Sequence, residues 1–289
     1  MQKKVVEFNS EGSRVAADLY LPDDVTTNAP VILLCHGFAG VKELLLPAFA
    51  EHFAKAGYVA MTFDYRGFGA SEGEPGRLVP ALQVEDIKNA ITFLSQCPEV
   101  DSDRIALWGT SFGGANAVVT AAEDDRIKAV SVQLTFADGE RVITSAMSSD
   151  EKHKFLATIE KMELKKEKTG REMMVPIVKV LSDEQSKKFY QEYADEHPAL
   201  KIKIPFLTVA ETMKFKPINT ISNVSVPLLV VAATNDSVNP VTESHALYAA
   251  ANEPKELFEL EGATHYEAYK GPVFEKTANK QVEWFNNHL

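Results

Sequence analysis

Cysteine is nearly missing from this chain, with only Cys35 and Cys97 in 289 residues. Two thiols cannot build a disulfide framework, and a reducing cytoplasm is the expected compartment. Cys35 reads as a small buried residue on a core strand rather than as half of a thiol pair with His36. No run approaches the ~20 apolar residues of a membrane span. Met1–Phe8 carries Lys3 and Lys4 without a continuous apolar run behind them, so no secretory signal is expected. Positive charge is also short: 30 Lys and Arg face 41 Asp and Glu, a net charge of −11. A nucleic-acid binder needs a basic face to displace counterions, so that class is set aside. His52, His153, His197, His245 and His288 lack metal-ligand spacing with one another. The glycine-rich segments lack both the lysine of a phosphate loop and the dinucleotide spacing. Neither a metal nor a cofactor is expected.

What is present is an ordinary globular composition, 45% hydrophobic and 25% charged, long enough for one large α/β core with an insertion. The charge is uneven. Residues 136–222 hold 15 Lys/Arg and 14 Asp/Glu, a net of +1, which leaves −12 for the remainder.

Periodicity sets out the core. Val5–Phe8 and Val15–Leu21 read as opening strands, split by the turn residues Asn9 to Gly12. Val31–Cys35 is a continuous apolar run, as expected of a strand buried on both faces. A helix over Leu44–Ala56 closed by Gly57, a strand over Tyr58–Tyr65 and a helix over Leu82–Cys97 follow. Strands are expected at Arg104–Trp108, Ile127–Phe136, Pro227–Ala233 and Lys255–Leu260, with helices after Thr110, at Pro240–Ala251 and at Pro272–His288. Such alternation means a doubly wound, mostly parallel sheet with ligands at the carboxyl ends of its strands.

Residues 1–135 and 223–289 are read as that core, and 136–222 as an inserted helical cap. Within the insertion, Asp150–Thr169 reads as a charged helix stopped by Gly170. A second helix is expected from an N-cap at Ser182 to about Glu196. Five of the seven methionines lie here: Met147, Met162, Met173, Met174 and Met213. Packing of a small helical unit is their preferred role over lining a pliable pocket.

The chemistry centres on Gly109-Thr110-Ser111-Phe112-Gly113, between a strand-length apolar run and a small-residue helix. A serine between glycines at such a junction is a nucleophile elbow. Ser111 needs a base, and the base needs a carboxylate to set its tautomer. His265 follows the last expected strand and Asp236 follows Ala233, each at a strand end. The order Ser111, Asp236, His265 matches one of the three known triad orders. Gly37 lets the chain turn after Cys35, so the backbone N–H groups of Phe38 and Phe112 are assigned to an oxyanion hole. Their side chains favour an apolar acyl group. His36 is read as holding its loop rather than as a second base, and Arg66 as bound to Asp64 or Asp86.

These pieces, with Leu34 to Gly40, Phe63 to Ser71, Asn235-Asp236 and Gly262 to His265, resemble a capped α/β-hydrolase. The resemblance is closest to bacterial serine esterases and serine-aminopeptidase-like hydrolases, including the dienelactone-hydrolase-like and polyketide-transferase-like branches. It implies the α/β-hydrolase fold. Dienelactone hydrolases proper use cysteine, so Ser111 departs from them. The expected activity is carboxylic ester hydrolysis through an acyl-enzyme, on small to medium apolar acyl groups. Competing readings are an aminopeptidase using Glu211 or Asp138 for a free amine, an acyltransferase on the same triad, and a non-enzymatic binding protein. The expected partner is a small-molecule ester, with no nucleic acid and no membrane; a homodimer is the assembly kept open.

Overall fold

Neighbouring residues of each central strand face opposite sides of the sheet, so a run that is apolar throughout must be covered twice. In the computed structural model, which describes residues 1–23 and 28–289, Val31, Leu33 and Cys35 join one buried cluster and Ile32 and Leu34 the other. Ile105 and Leu107 alternate with Ala106 and Trp108 in the same way.

The first half of the core runs β1 Gln2–Ser10, β2 Ser13–Leu21, β3 Ala29–Cys35, α1 Leu46–Lys55, β4 Val59–Phe63, α2 Pro80–Leu94, β5 Val100–Thr110, α3 Phe112–Glu123 and β6 Ile127–Gln133. The segment that follows contributes α4 Gly139–Thr144, α5 Ser149–Thr169, β7 Met174–Pro176, α6 Glu184–Tyr193, β8 Lys203–Pro205 and α7 Thr208–Lys214. The chain then returns through β9 Leu228–Ala233, α8 Val241–Ala250, β10 Lys255–Leu260 and α9 Gly271–His288.

Among the described residues eight strands form one sheet in the order β1-β2-β4-β3-β5-β6-β9-β10. The β1–β2 and β2–β4 pairings are antiparallel and the others parallel. Helices α1 and α9 cover one face, where Phe49 lies 4.6 Å from the fully buried Trp108 and Phe285 packs on Phe53. Helices α2, α3 and α8 cover the other, through Ile87, Ala115, Val118 and Leu247. Each such buried Ile, Val or Leu side chain contributes about 1.5–3 kcal/mol. This is the α/β-hydrolase fold expected from the sequence.

Several boundaries differ, each for a local reason. Helix α2 begins at Pro80 instead of Leu82 because proline suits a first helical turn, and it ends at Leu94 rather than Cys97. Strand β6 stops at Gln133, since Leu134 turns out of the sheet at φ 54°. The N-cap of α6 is Asp183 rather than Ser182; its carboxylate accepts from the Ser186 N–H at 2.8 Å. The segment 136–222 is also not purely helical: Met174–Pro176 pairs antiparallel with Lys203–Pro205. Those two short runs carry no helical period, and prolines at 176 and 205 bound them. Within the segment, Ile159 packs with Leu207, Val209 and Ala210, and Met162 borders them.

Candidate active site

The turn at Ser111 explains its glycines. Ser111 has φ 53° and ψ −122°, a left-handed conformation costing about 1–3 kcal/mol. A Cβ at Gly109 would stand 2.5 Å from the Gly113 carbonyl oxygen, and one at Gly113 would stand 2.1 Å from that of Cys35. Both positions admit only glycine. The Ser111 N–H donates to the Gln133 carbonyl at 2.9 Å, and the Thr135 hydroxyl donates to the Ser111 carbonyl at 2.8 Å. The elbow is thereby tied to the end of β6.

Asp236 and His265 meet because β9 and β10 are parallel neighbours whose C-terminal loops are stitched together. Asn235 N–H donates to the Ala263 carbonyl at 2.9 Å, Asn235 Nδ2 to that of Gly262 at 3.0 Å, and Gly262 N–H to the Thr234 hydroxyl at 2.7 Å. His265 Nδ1 then lies 2.6 Å from Asp236 Oδ2, with both side chains buried. The other carboxylate oxygen, Oδ1, accepts the N–H groups of Val238 and Asn239 at 2.8 Å each. Asp236 thus caps its turn and faces the imidazole at once. Among the described residues no hydrogen bond joins Ser111 Oγ to His265, although the two line one cavity of about 40 Å³. The hydroxyl instead accepts from Asn239 Nδ2 at 3.2 Å.

After β3 the chain passes close under the elbow: a Cβ at Gly37 would sit 3.3 Å from Ser111 Cβ. Among the described residues the N–H groups of Phe38 and Phe112 donate to no protein acceptor. Phe112 heads α3, where an amide has no intrahelical partner. The two rings meet edge to face at 5.7 Å. His36 donates from Nε2 to the Leu44 carbonyl at 2.8 Å, and burial holds its imidazole well below the ordinary range, at about 4. It is a neutral buried ring that clasps its loop. A Cβ at Gly40 would collide with it at 1.8 Å.

Helix α6 closes over these loops. Gln185 accepts the His265 N–H at 3.1 Å and donates to the Asn235 carbonyl at 3.2 Å. Tyr190 Oη donates to the Phe38 carbonyl at 3.3 Å, and Ser186 pairs with Tyr266 at 3.0 Å. Sequence reasoning missed Asn239, Gln185 and Tyr190. The first had a usable signal, since it stands three residues beyond Asp236 in the same strand-end turn; the other two had none.

Two hollows border Ser111 and a third adjoins one of them. The cavity shared with His265 is lined by Phe38, Leu181 and Tyr190 among others. A second of about 40 Å³ lies between Ser111, Phe112, Phe136, Val142, Ile143 and Val180. A third of about 340 Å³ opens outward between α6 and the loop after β10, and shares Leu45, Phe189, Tyr266 and Tyr269 with the first. A larger hollow of about 720 Å³, near Met162 and Met173, has no residue in common with them. None of the five clustered methionines lines the two cavities at Ser111.

Arg66 donates to Asp86 from Nε at 2.7 Å and from its backbone N–H at 3.0 Å. Asp64 instead accepts the N–H groups of Lys42 and Ala70, and burial pushes its carboxyl up to about 6. Asp138 is occupied in capping α4 through the N–H groups of Glu140 and Arg141. Neither Asp138 nor Glu211 lines the cavities at Ser111, so the structure does not bring the proposed amine anchors to the site.

Comparison with known proteins gives the family. The model of the family described as serine aminopeptidase, S33, matches residues 26–267. The chain is 48% identical over 261 residues to an uncharacterized 31.7 kDa protein of the traX-finO intergenic region of Escherichia coli, covering 90% of this chain and 91% of that one. It is 31% identical to the quorum-quenching protein AidA of Acinetobacter baumannii, over 96% and 93% of the two chains. The solved structure of the α/β-hydrolase GrgF from Penicillium superposes with a TM-score of 0.84 at 23% identity, covering 100% and 99%. With most of its length matched by the family model, the chain belongs to the serine aminopeptidase S33 family of α/β-hydrolases.

Proposed function

We propose that the protein hydrolyses carboxylic esters, with Ser111 as nucleophile, His265 as general base and Asp236 as the carboxylate that orients it. The buried 2.6 Å contact between His265 Nδ1 and Asp236 Oδ2, facing the same cavity as Ser111, carries this reading. A carboxylate on Nδ1 fixes the proton there and leaves Nε2 free to accept one. As substrate enters, the Ser111 hydroxyl, with Oγ keeping the Asn239 donor, turns its hydrogen toward that nitrogen, loses its proton to it and adds to the ester carbonyl. Catalytic hydrogen bonds are often unmade before substrate binds. The carbonyl oxygen, now carrying the electron pair, accepts from the free N–H groups of Phe38 and Phe112, each donor being worth about 3 kcal/mol. His265 returns the proton to the departing alcohol. Water then adds to the acyl-enzyme by the same route and releases the acid and Ser111.

Residues 136–222 act as the cap of this site. Gln185, Ser186 and Tyr190 bond the loops of His265 and Phe38, which supports that assignment.

The test uses purified protein and a series of p-nitrophenyl esters. Ser111→Ala loses at least a thousandfold in kcat/KM with unchanged thermal unfolding, and a phosphonate ester labels Ser111. Ester turnover that survives in this variant overturns the proposal. Added alcohol that diverts product from acid to new ester, at the expense of hydrolysis, would instead make the protein an acyltransferase.

A further inference from the structure

The two hollows that Ser111 lines are alike in size, about 40 Å³ each, but only one of them adjoins the 340 Å³ vestibule, and the position of His265 says which takes which half of the substrate. The leaving oxygen must receive its proton from His265, so the alcohol departs on the imidazole side. His265 lines the cavity that adjoins the outer vestibule. It does not line the second cavity, between Phe112, Phe136, Val142 and Ile143, which is therefore left to the acyl chain.

Holding one water takes about 10–15 Å³ of such space. The acyl cavity, at about 40 Å³, accordingly admits only a short chain. Its walls are apolar apart from Ser111, Asn239 and Thr212. The vestibule, at about 340 Å³, is more than eight times larger. Phe189 and Tyr266 stack there at 4.3 Å with their planes 11° apart, Phe189 meets Tyr193 at 4.7 Å, and Tyr269 completes the wall. Aromatic pairs contribute about 0.5–1.5 kcal/mol beyond their buried area. At the rim Lys188 and Lys270 are matched by Glu192 and Glu267, so formal charge cancels and the vestibule does not select an anion.

We infer that the preferred substrates are esters of short acyl acids with bulky, uncharged aromatic alcohols, the alcohol seated among Phe189, Tyr193, Tyr266 and Tyr269. This specificity rests on the hydrolase reading above and deepens it. Selectivity then lies mainly on the leaving-group side, while the acyl side enforces a length limit.

Acetyl, butanoyl and octanoyl esters of ethanol and of 2-naphthylmethanol separate the two sides, because these alcohols are of similar acidity. The wild-type enzyme is expected to prefer 2-naphthylmethyl acetate to ethyl acetate by at least tenfold in kcat/KM, and to turn over the octanoate at least tenfold more slowly than the acetate. Tyr193→Ala lowers the naphthylmethyl preference several-fold and leaves the acyl-length order unchanged. Ile143→Ala does the reverse, raising octanoate turnover relative to acetate with the naphthylmethyl preference intact. Ethyl octanoate outpacing 2-naphthylmethyl acetate overturns the inference, as does a preference for the thioester of a phosphorylated thiol. If a phosphonate still labels Ser111 in that case, the hydrolase reading stands without it; if Ser111 is not labelled, both fall together.

Discussion

Asn239 Nδ2 stands 3.2 Å from Ser111 Oγ and 2.7 Å from the carbonyl oxygen of Leu134, bridging Ser111 to the residue that bends out of β6. Its own N–H is held by Asp236 Oδ1 at 2.8 Å. Asn239 therefore ties Ser111, the end of β6 and the Asp236 turn together. A donor on Oγ occupies a lone pair and leaves the hydroxyl hydrogen free to face the imidazole. It also favours the negative charge that grows on Oγ as its proton departs.

Asn239→Leu keeps the branched shape of the side chain and removes both hydrogen bonds of its amide. A neutral hydrogen bond is worth about 0.5–1.5 kcal/mol, so kcat should fall roughly three- to tenfold with KM little changed. Steady-state kinetics and the rate of phosphonate labelling at Ser111 both read this effect. A fall in thermal unfolding temperature with kcat untouched would restrict Asn239 to supporting the Leu134 bend.

His36 gives a pH-dependent stability of known sign. Burial lowers its native value from 6.5 to about 4, so between those two pH values the unfolded chain binds a proton that the native ring refuses. Its contribution is present above pH 6.5 and lost as pH falls toward 4, a change on the order of 3 kcal/mol. Asp64 opposes it, because its raised carboxyl, at about 6, favours the native state at low pH and loses that contribution as pH rises. The two slopes partly cancel in the wild type, so the informative quantity is a difference. Urea unfolding of wild type and His36→Gln should show a stability gap that narrows as pH drops from 7 to 4.5. A gap independent of pH would mean that the buried ring is not the source.

Gly113→Ala tests the close passage of β3 beneath the elbow. The new Cβ would meet the carbonyl oxygens of Cys35 and His36 at 2.1 and 2.4 Å, both backbone atoms without freedom to swing aside. The strand end must shift, which costs about 1–3 kcal/mol in stability and carries the Phe38 amide away from Ser111. We expect a lower unfolding temperature and a loss in kcat of at least tenfold. Gly12→Ala is the control: its Cβ would find open space, so it should lose stability from backbone strain alone and keep its activity.

The legible parts of the site were those with short-range causes. Gly109 and Gly113 flank Ser111 in the chain and are visible there as a motif; the reason for Gly109 lies within one strand–turn–helix unit, whereas Gly113 makes room for the carbonyls of Cys35 and His36. Asp236 and His265 could be placed because each follows an apolar strand whose end is evident from composition alone. The Ser182 boundary erred by one residue because the adjacent Asp183 competes for the same cap, and the Leu82 boundary by two because Val79 caps α2 without a side-chain bond and Pro80 opens its first turn. The β7–β8 pairing escaped notice because three-residue strands have no period to detect.

What the sequence by itself determined is the alternating core, the glycine-flanked turn at Ser111 and the placing of Asp236 and His265 at strand ends, since each of these depends on residues within a turn or two of one another. Only the tertiary structure decided that Asn239 meets Ser111 across 128 positions, that Gln185 grips the backbone of His265 across 80, and that only one of the two hollows at the serine adjoins a large vestibule. Those contacts arise when separate loops are brought to one sheet edge, and local pattern carries no record of which side chains will face each other there.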